Sequence, residues 1–320
     1  MRYRNIAITA AVTGMVAIGF AAPSHAGLTT FCDGVASDVT VPGDLVVRAG
    51  DSCELTNVTI NGNATVRADA NLLLDGSTVN GNLRVNDNAF VDAIGSEVTG
   101  NARLVTAYGA YTEDSTIGGN VNATDAGFFY SVGSNHAKNV SSTNGETFLE
   151  SSWVTRNLTS EGDALTDVYD TVVERDVNVS GATQGSVFCL SEVDGNASFS
   201  GNADVLQIGA SAPLTGCGFN VFGGDLSVTD NTGEAFVSDN VVRGSLTCSG
   251  NDPLPVVEGN RVRGDVDCES ADAAASMQSR ASGLAEARKA EDRKAEVKAD
   301  IDARAKAGSD DAEEAGNAFE

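Results

Sequence analysis

Ile60-Asn61-Gly62-Asn63, Val79-Asn80-Gly81-Asn82, Val98-Thr99-Gly100-Asn101 and Ile117-Gly118-Gly119-Asn120 follow one another at intervals of 19 residues. A fixed period near 20 marks one structural unit stacked on copies of itself. The beat extends outward on both sides. Gly43-Asp44 precedes it, and Gly195-Asn196, Gly224-Asp225, Gly244-Ser245 and Gly264-Asp265 follow. Lys138-Asn139, Arg156-Asn157 and Arg175-Asp176 keep the position with the glycine replaced, which makes twelve turns between Gly43 and Asp265.

Around each turn the side chains alternate. An apolar residue stands two before the glycine position, as at Val41, Ile60, Val79 and Val98. Two more stand two and four after it, as at Leu45 and Val47, or Leu83 and Val85. Alternation at period 2 is a strand with one face buried. The constant period requires every coil to advance in the same sense, which excludes hairpins. The reading is an all-β, single-stranded, right-handed parallel β-helix of about twelve coils of 19–20 residues, roughly 55 Å long. The Asn or Asp after each glycine is read as turn chemistry and stacked amide ladders. That reading also accounts for the sequons at Asn63, Asn139, Asn157 and Asn196.

The chain divides into three parts: residues 1–26, 27–268 and 269–320. In the first, Arg2 and Arg4 precede an apolar run, and Ser24-His25-Ala26 ends it. This reads as a secretory signal cleaved near Ala26-Gly27, with no membrane span afterwards. Six cysteines in an exported chain imply three disulfides. Cys248 and Cys268 occupy one inward column of adjacent coils, and Cys32 and Cys53 lie about one coil apart. Cys189 and Cys217 flank the one long interval. The expected pairs are Cys32–Cys53, Cys189–Cys217 and Cys248–Cys268.

The third part is rich in Ala, Glu, Lys, Arg and Asp. It reads as a charged helical tail, polar nearly all round and solvent-exposed. Ala273 to Met277 offer a cap for the last coil, and Gly308 to Glu320 are expected to be disordered.

The net charge of −25 argues against nucleic acid and anionic membrane as partners. Near-uniform coils leave little to wall a catalytic cleft. There is no nucleophile elbow, phosphate loop or His-rich cluster, and His136 is the one histidine after the signal. The expectation is a protein that is not an enzyme and has no cofactor. Acids stand at solvent positions, among them Asp92, Glu97 and Glu113. Asp163, Asp167, Asp170 and Glu174 crowd one region and are weak candidates for a divalent cation.

Phe128, Phe129, Tyr130, Phe148, Trp153 and Tyr169 gather in the least regular coils. Phe128, Tyr130, Trp153 and Tyr169 offer a ligand face for carbohydrate. The preferred alternative has rings filling a coil interior that Ser142 and Ser160 leave short of aliphatics.

The repeated Ser-x-Val-x-Gly-Asn-Leu-x-Val, seen at Ser77 to Val85 and echoed at Ser96 and Ser115, resembles exported β-helix proteins of actinobacteria. Gly244-Ser245-Leu246-Thr247-Cys248 looks like their terminal coils. The repeat is more loosely similar to bactofilins, cytoskeletal polymers of right-handed β-helices with a similar coil size. The resemblance covers Val39 to Cys268. It implies the fold and its handedness, and it is unspecific for activity. The expected role is a secreted, non-catalytic structural or binding protein of the cell envelope or its surroundings. A carbohydrate-active protein is the alternative. The partners expected are a second copy stacked end to end, or a cell-wall or extracellular glycan.

Overall fold

The structure is a computed structural model, and it describes residues 28–210, 217–271 and 273–319, with side chains of the helical tail from residue 294 onward. The proposed signal and the Ala273 to Met277 cap lie outside the described side chains.

The coils form a parallel β-solenoid of triangular cross-section. Each contributes one strand to each of three parallel sheets of thirteen, twelve and twelve strands. Sheet A begins with Thr29–Cys32 and Asp44–Val47, sheet B with Gly34–Ser37 and Ser52–Thr56, and sheet C with Thr40–Val41 and Thr59–Ile60. Like residues stack in register, as Leu45 on Ala64 and Val47 on Val66. The inward columns are mostly aliphatic and almost wholly buried. Burial on that scale is the main stabilising term, and each coil needs its neighbours to complete it.

Three polar ladders hold the corners. At the turn between sheets C and A, Asn82 donates its side-chain amide to Asn63 Oδ1 at 3.0 Å, and Asn101 does the same to Asn82. At the corner between sheets B and C, the backbone amide of Ser77 donates to Ser96 Oγ at 3.0 Å. The hydroxyl ladder continues through Ser115 and Ser134, and passes to Asn220 and Asn240 near the far end. At the corner between sheets A and B, Asn202 and Asn231 accept buried backbone amides of the coil before. Each ladder satisfies a turn amide that the strands leave unpaired.

The three disulfides join Cys32 to Cys53, Cys189 to Cys217 and Cys248 to Cys268, with Cα–Cα distances of 5.6, 5.4 and 4.5 Å. The first and last fasten terminal coils, and the second closes the long interval.

The tail departs from expectation. Helix α1, Ala273–Ala315, is not a free polar rod. From Lys294 onward it lies on the outer face of sheet B and runs back towards the first coil. Its inward side repeats at helical spacing: Val297, Ile301, Ala305, Gly308 and Ala312. Ile301 is 1 % exposed. Gly308 passes so close to the sheet that an added Cβ would stand 3.0 Å from Asn71 Cβ. Nor are Gly308 to Phe319 disordered, while Glu320 lies outside the described residues. The amide of Val35 donates to Gly316 O at 2.7 Å, and that of Ala318 donates to Val35 O at 2.9 Å. The segment thus pairs with Gly34–Ser37, the first strand of sheet B, and Ala318 is buried against the core. The physical reason is the outer face of sheet B. Between Phe90 and Leu165 it is largely aromatic and apolar, so a helix with even a narrow apolar stripe has something to cover.

Candidate functional site

The aromatic face is built from sheet B. Strands Phe90–Ile94, Gly109–Glu113, Phe128–Val132 and Glu146–Glu150 carry apolar residues at successive positions rather than alternate ones. A strand apolar on both faces is buried on both. Phe90, Tyr111, Phe128, Tyr130, Phe148 and Leu165 form an outer cluster, closed over by Ile301, Val297 and Ala305. Phe128 and Tyr130 are 6 % and 3 % exposed. Their place in a ligand face is therefore corrected: α1 occupies it. Tyr130 stacks on Phe148 at 4.9 Å, and Phe90, Tyr108 and Phe128 meet edge to face. Tyr169 is half-buried, with Lys294 Nζ 4.9 Å above its ring. Trp153 alone of the four is exposed; it stands on sheet C and donates Nε1–H to Glu174 Oε1 at 3.0 Å.

The coil interior is filled in another way. Only Phe129 of these rings points inward, with His136 beside it at 5.5 Å. His136 takes the sheet C column position between Ile117 and Val154 and is fully buried. Its Nε2 lies 2.8 Å from Ser131 Oγ, and Nδ1 has no partner. Burial holds its pKa down to about 4, so the ring is neutral near pH 7. A sealed histidine without a path to solvent has no substrate to serve.

The four acids do not converge. Asp163 lies inside the coil, where Oδ1 accepts from Ser142 Oγ and the Gly145 amide, and Oδ2 accepts from Thr147 and Ser160 hydroxyls. Those bonds use both oxygens. Asp167 is buried on the outer side of sheet B and accepts the Val187 amide at 3.1 Å. Asp170 accepts from Ser151 at a corner, and Glu174 is held by Trp153. Among the described residues no group of three or more His, Cys, Asp or Glu side chains is arranged to hold a metal ion. Asp92 is also corrected from a solvent position. It is buried beneath α1 with Oδ1 unpartnered. Burial raises its pKa to about 6; Lys298 opposes this, and Glu113 and Asp302 add to it.

One accessible polar feature among the described residues is a corner groove along the Asn ladder between sheets C and A. One stretch, about 530 Å³, is lined by Asn120, Lys138, Asn139, Arg156, Asn157 and Arg175, with Asp176 at its end. A second, about 510 Å³, includes Asn63, Asn82, Asn101, Arg84 and Arg103. The sequence reading met Lys138, Arg156 and Arg175 only as replaced glycines. The signal was there: three cations at one repeat position in consecutive coils.

No helix among the described residues is long and apolar enough to cross a membrane. No protein-family model, curated protein or solved structure matches the chain.

Proposed function

We propose that this chain is a secreted, non-catalytic β-solenoid, a structural and binding rod of the cell envelope or its surroundings. The observation that carries the reading is the covering of the outer face of sheet B, and of the edge of its first strand, by the chain's own tail. An open strand edge invites another strand. Here Gly316 to Ala318 occupy that edge, so the tail opposes stacking at the first coil and leaves sheets A and C as lateral faces. The three disulfides suit an oxidising compartment, and the Arg2 to Ala26 signal supports export. The likeness of Ser77 to Val85 to exported actinobacterial β-helix proteins supports the envelope setting. The looser likeness to bactofilins would add end-to-end polymerisation, which the tail opposes. The carbohydrate-active alternative loses Phe128 and Tyr130 from its ligand face and retains Trp153.

Electron microscopy of the mature protein tests this, with and without residues 316–320, beside cleavage assays on a polysaccharide panel. The expected result is single rods from the full chain, end-to-end association after the deletion, and no cleavage. Filaments of the intact chain would refute the closed end, and polysaccharide cleavage would refute the non-catalytic role.

A further inference from the structure

We infer that the corner groove between sheets C and A binds a linear acidic polysaccharide, a polyuronate, laid along the rod. This rests on the binding half of the reading above and names its partner. Lys138, Arg156 and Arg175 project from the same turn of three consecutive coils, where other coils carry glycine. Arg84 and Arg103 are register neighbours on the outer face of sheet A, on the other bank of the same Asn ladder. All five side chains are exposed. Among the described residues, none of them makes an ion pair or a side-chain hydrogen bond with the protein. A chain with 45 acids and 20 bases has carboxylates in plenty to neutralise them. Five unpaired cations gathered along one groove of such a chain are placed for an anion from outside.

The geometry chooses among anions. Five coil steps separate Arg84 from Arg175, roughly 24 Å at the spacing of parallel strands. A site that long and open suits a polymer rather than a small anion. Within the Lys138–Arg175 stretch the cations recur once per coil, a spacing close to that of carboxylates borne one per sugar. Guanidinium forks match carboxylate oxygens two to two. Nucleic acid fits less well. Neither stretch of the groove has an aromatic lining residue on which bases would stack, and the acidic rod repels the denser phosphate charge more strongly.

The test is fluorescence anisotropy of labelled polygalacturonate oligomers with the full mature protein at low salt. Methyl-esterified oligomers and oligo(dT) serve as competitors, and reducing ends are measured in the same samples. The expected result is binding that weakens with salt at a log–log slope of about −3 to −4 if all five cations engage. Lys138→Gly/Arg156→Gly/Arg175→Gly restores the residue other coils use and should weaken binding by on the order of 100-fold. Its thermal transition should stay near that of the parent. Arg84→Thr/Arg103→Asn, taken from the column neighbours Thr65 and Asn122, is the second variant should the first not fold. Absent binding at low salt, equal binding of the esterified oligomer, unchanged affinity in the variants, or preferred binding of oligo(dT) would each overturn the inference. New reducing ends would instead overturn the non-catalytic reading and leave the groove standing.

Discussion

Replacing Ile301 by Ala tests whether α1 is a separable layer held chiefly by one side chain. Ile301 is 1 % exposed and is the one fully buried large side chain that the described part of the helix inserts among Phe90, Tyr111, Phe128 and Tyr130. Three carbons leave, worth about 0.8 kcal/mol each by transfer. An incompletely collapsed cavity brings the loss to between about 2 and 4 kcal/mol. The other attachments are individually smaller. Lys294, Lys298 and Arg304 lie 4.9, 4.9 and 5.1 Å from the rings of Tyr169, Tyr111 and Tyr108, each worth about 0.5–1 kcal/mol at a partly exposed site. The Lys294–Glu150 pair at 2.7 Å is partly exposed and adds about 1 kcal/mol at most. Opening of the helix should therefore become roughly 30- to 700-fold more frequent, at 1.4 kcal/mol per factor of ten. Hydrogen exchange read by mass spectrometry measures this directly. Amides of 297–312 and of Ala318 should exchange faster by that factor, while Asn71–Asp75 keeps its protection. Unchanged exchange in α1 would refute the anchoring role. A uniform loss across the coils would refute the separate layer.

Gly308→Leu should lift the helix over Asn71 and Leu73, because even a Cβ would stand 3.0 Å and 3.1 Å from their nearest atoms; exchange at Ala318 as slow as in the parent would rule out the close approach. Asp92→Asn should stabilise the protein at pH 7–8 by up to about 3 kcal/mol. The folded pKa, about 6, lies above the unfolded 3.8, so Asp92 lowers stability as pH rises through that window. The Asn variant should lack this fall, and thermal melts at pH 4 and pH 7.5 that move in parallel with the parent would contradict it. His136 acts in the opposite sense. Its folded pKa, about 4, lies below the unfolded 6.5, so its contribution is intact above pH 6.5 and is lost as pH falls towards 4. His136→Val, the usual residue of that column, should flatten this acid loss in urea midpoints at pH 4.5 and pH 7, and an unchanged acid dependence would exclude His136 as its source.

The coils were legible because stacking repeats one constraint twelve times. Val41, Ile60, Val79 and Val98 occupy one buried column, and their spacing of 19 residues in the chain is the length of one coil. Cys248 and Cys268 pair for the same reason, since they are register partners. The tail was not legible because its apolar stripe is narrow. Val297, Ile301 and Ala305 are set among charges, and Gly308 and Ala312 contribute by being small. What binds it is the far side of sheet B, and that clue lay in other coils. Phe128-Phe129-Tyr130 and Phe148-Leu149 break the strict alternation, which marks strands covered on both faces. The acids misled for a related reason. Asp163, Asp167, Asp170 and Glu174 are close in sequence, but one coil carries them past the interior, one sheet face and two corners.

The coils that depart from the repeat also carry the chemistry. Between Phe129 and Thr147 the register advances 18 residues rather than 19. The same coils place Ser142 and Ser160 where others place Val or Leu. A shortened turn and two missing aliphatics would leave a polar gap, and Asp163 fills it. It takes the Gly145 amide with one oxygen and reaches Thr147 and Ser160 with the other. Stacking alone asks for none of this, since the aliphatic pattern on either side stacks without it. Departures of this kind are expected where a fold serves something besides its own stability. Here Lys138 and Arg156 stand on these very coils and Arg175 on the next, with Trp153 on the adjoining face. The polar plug sits at the other end of the sheet A strands, at the corner with sheet B, and keeps the interior column continuous through the irregular coils. Asp163→Ala, which strips four buried donors of their acceptor, should therefore lower the urea midpoint of the rod, and an unchanged midpoint would show the plug dispensable.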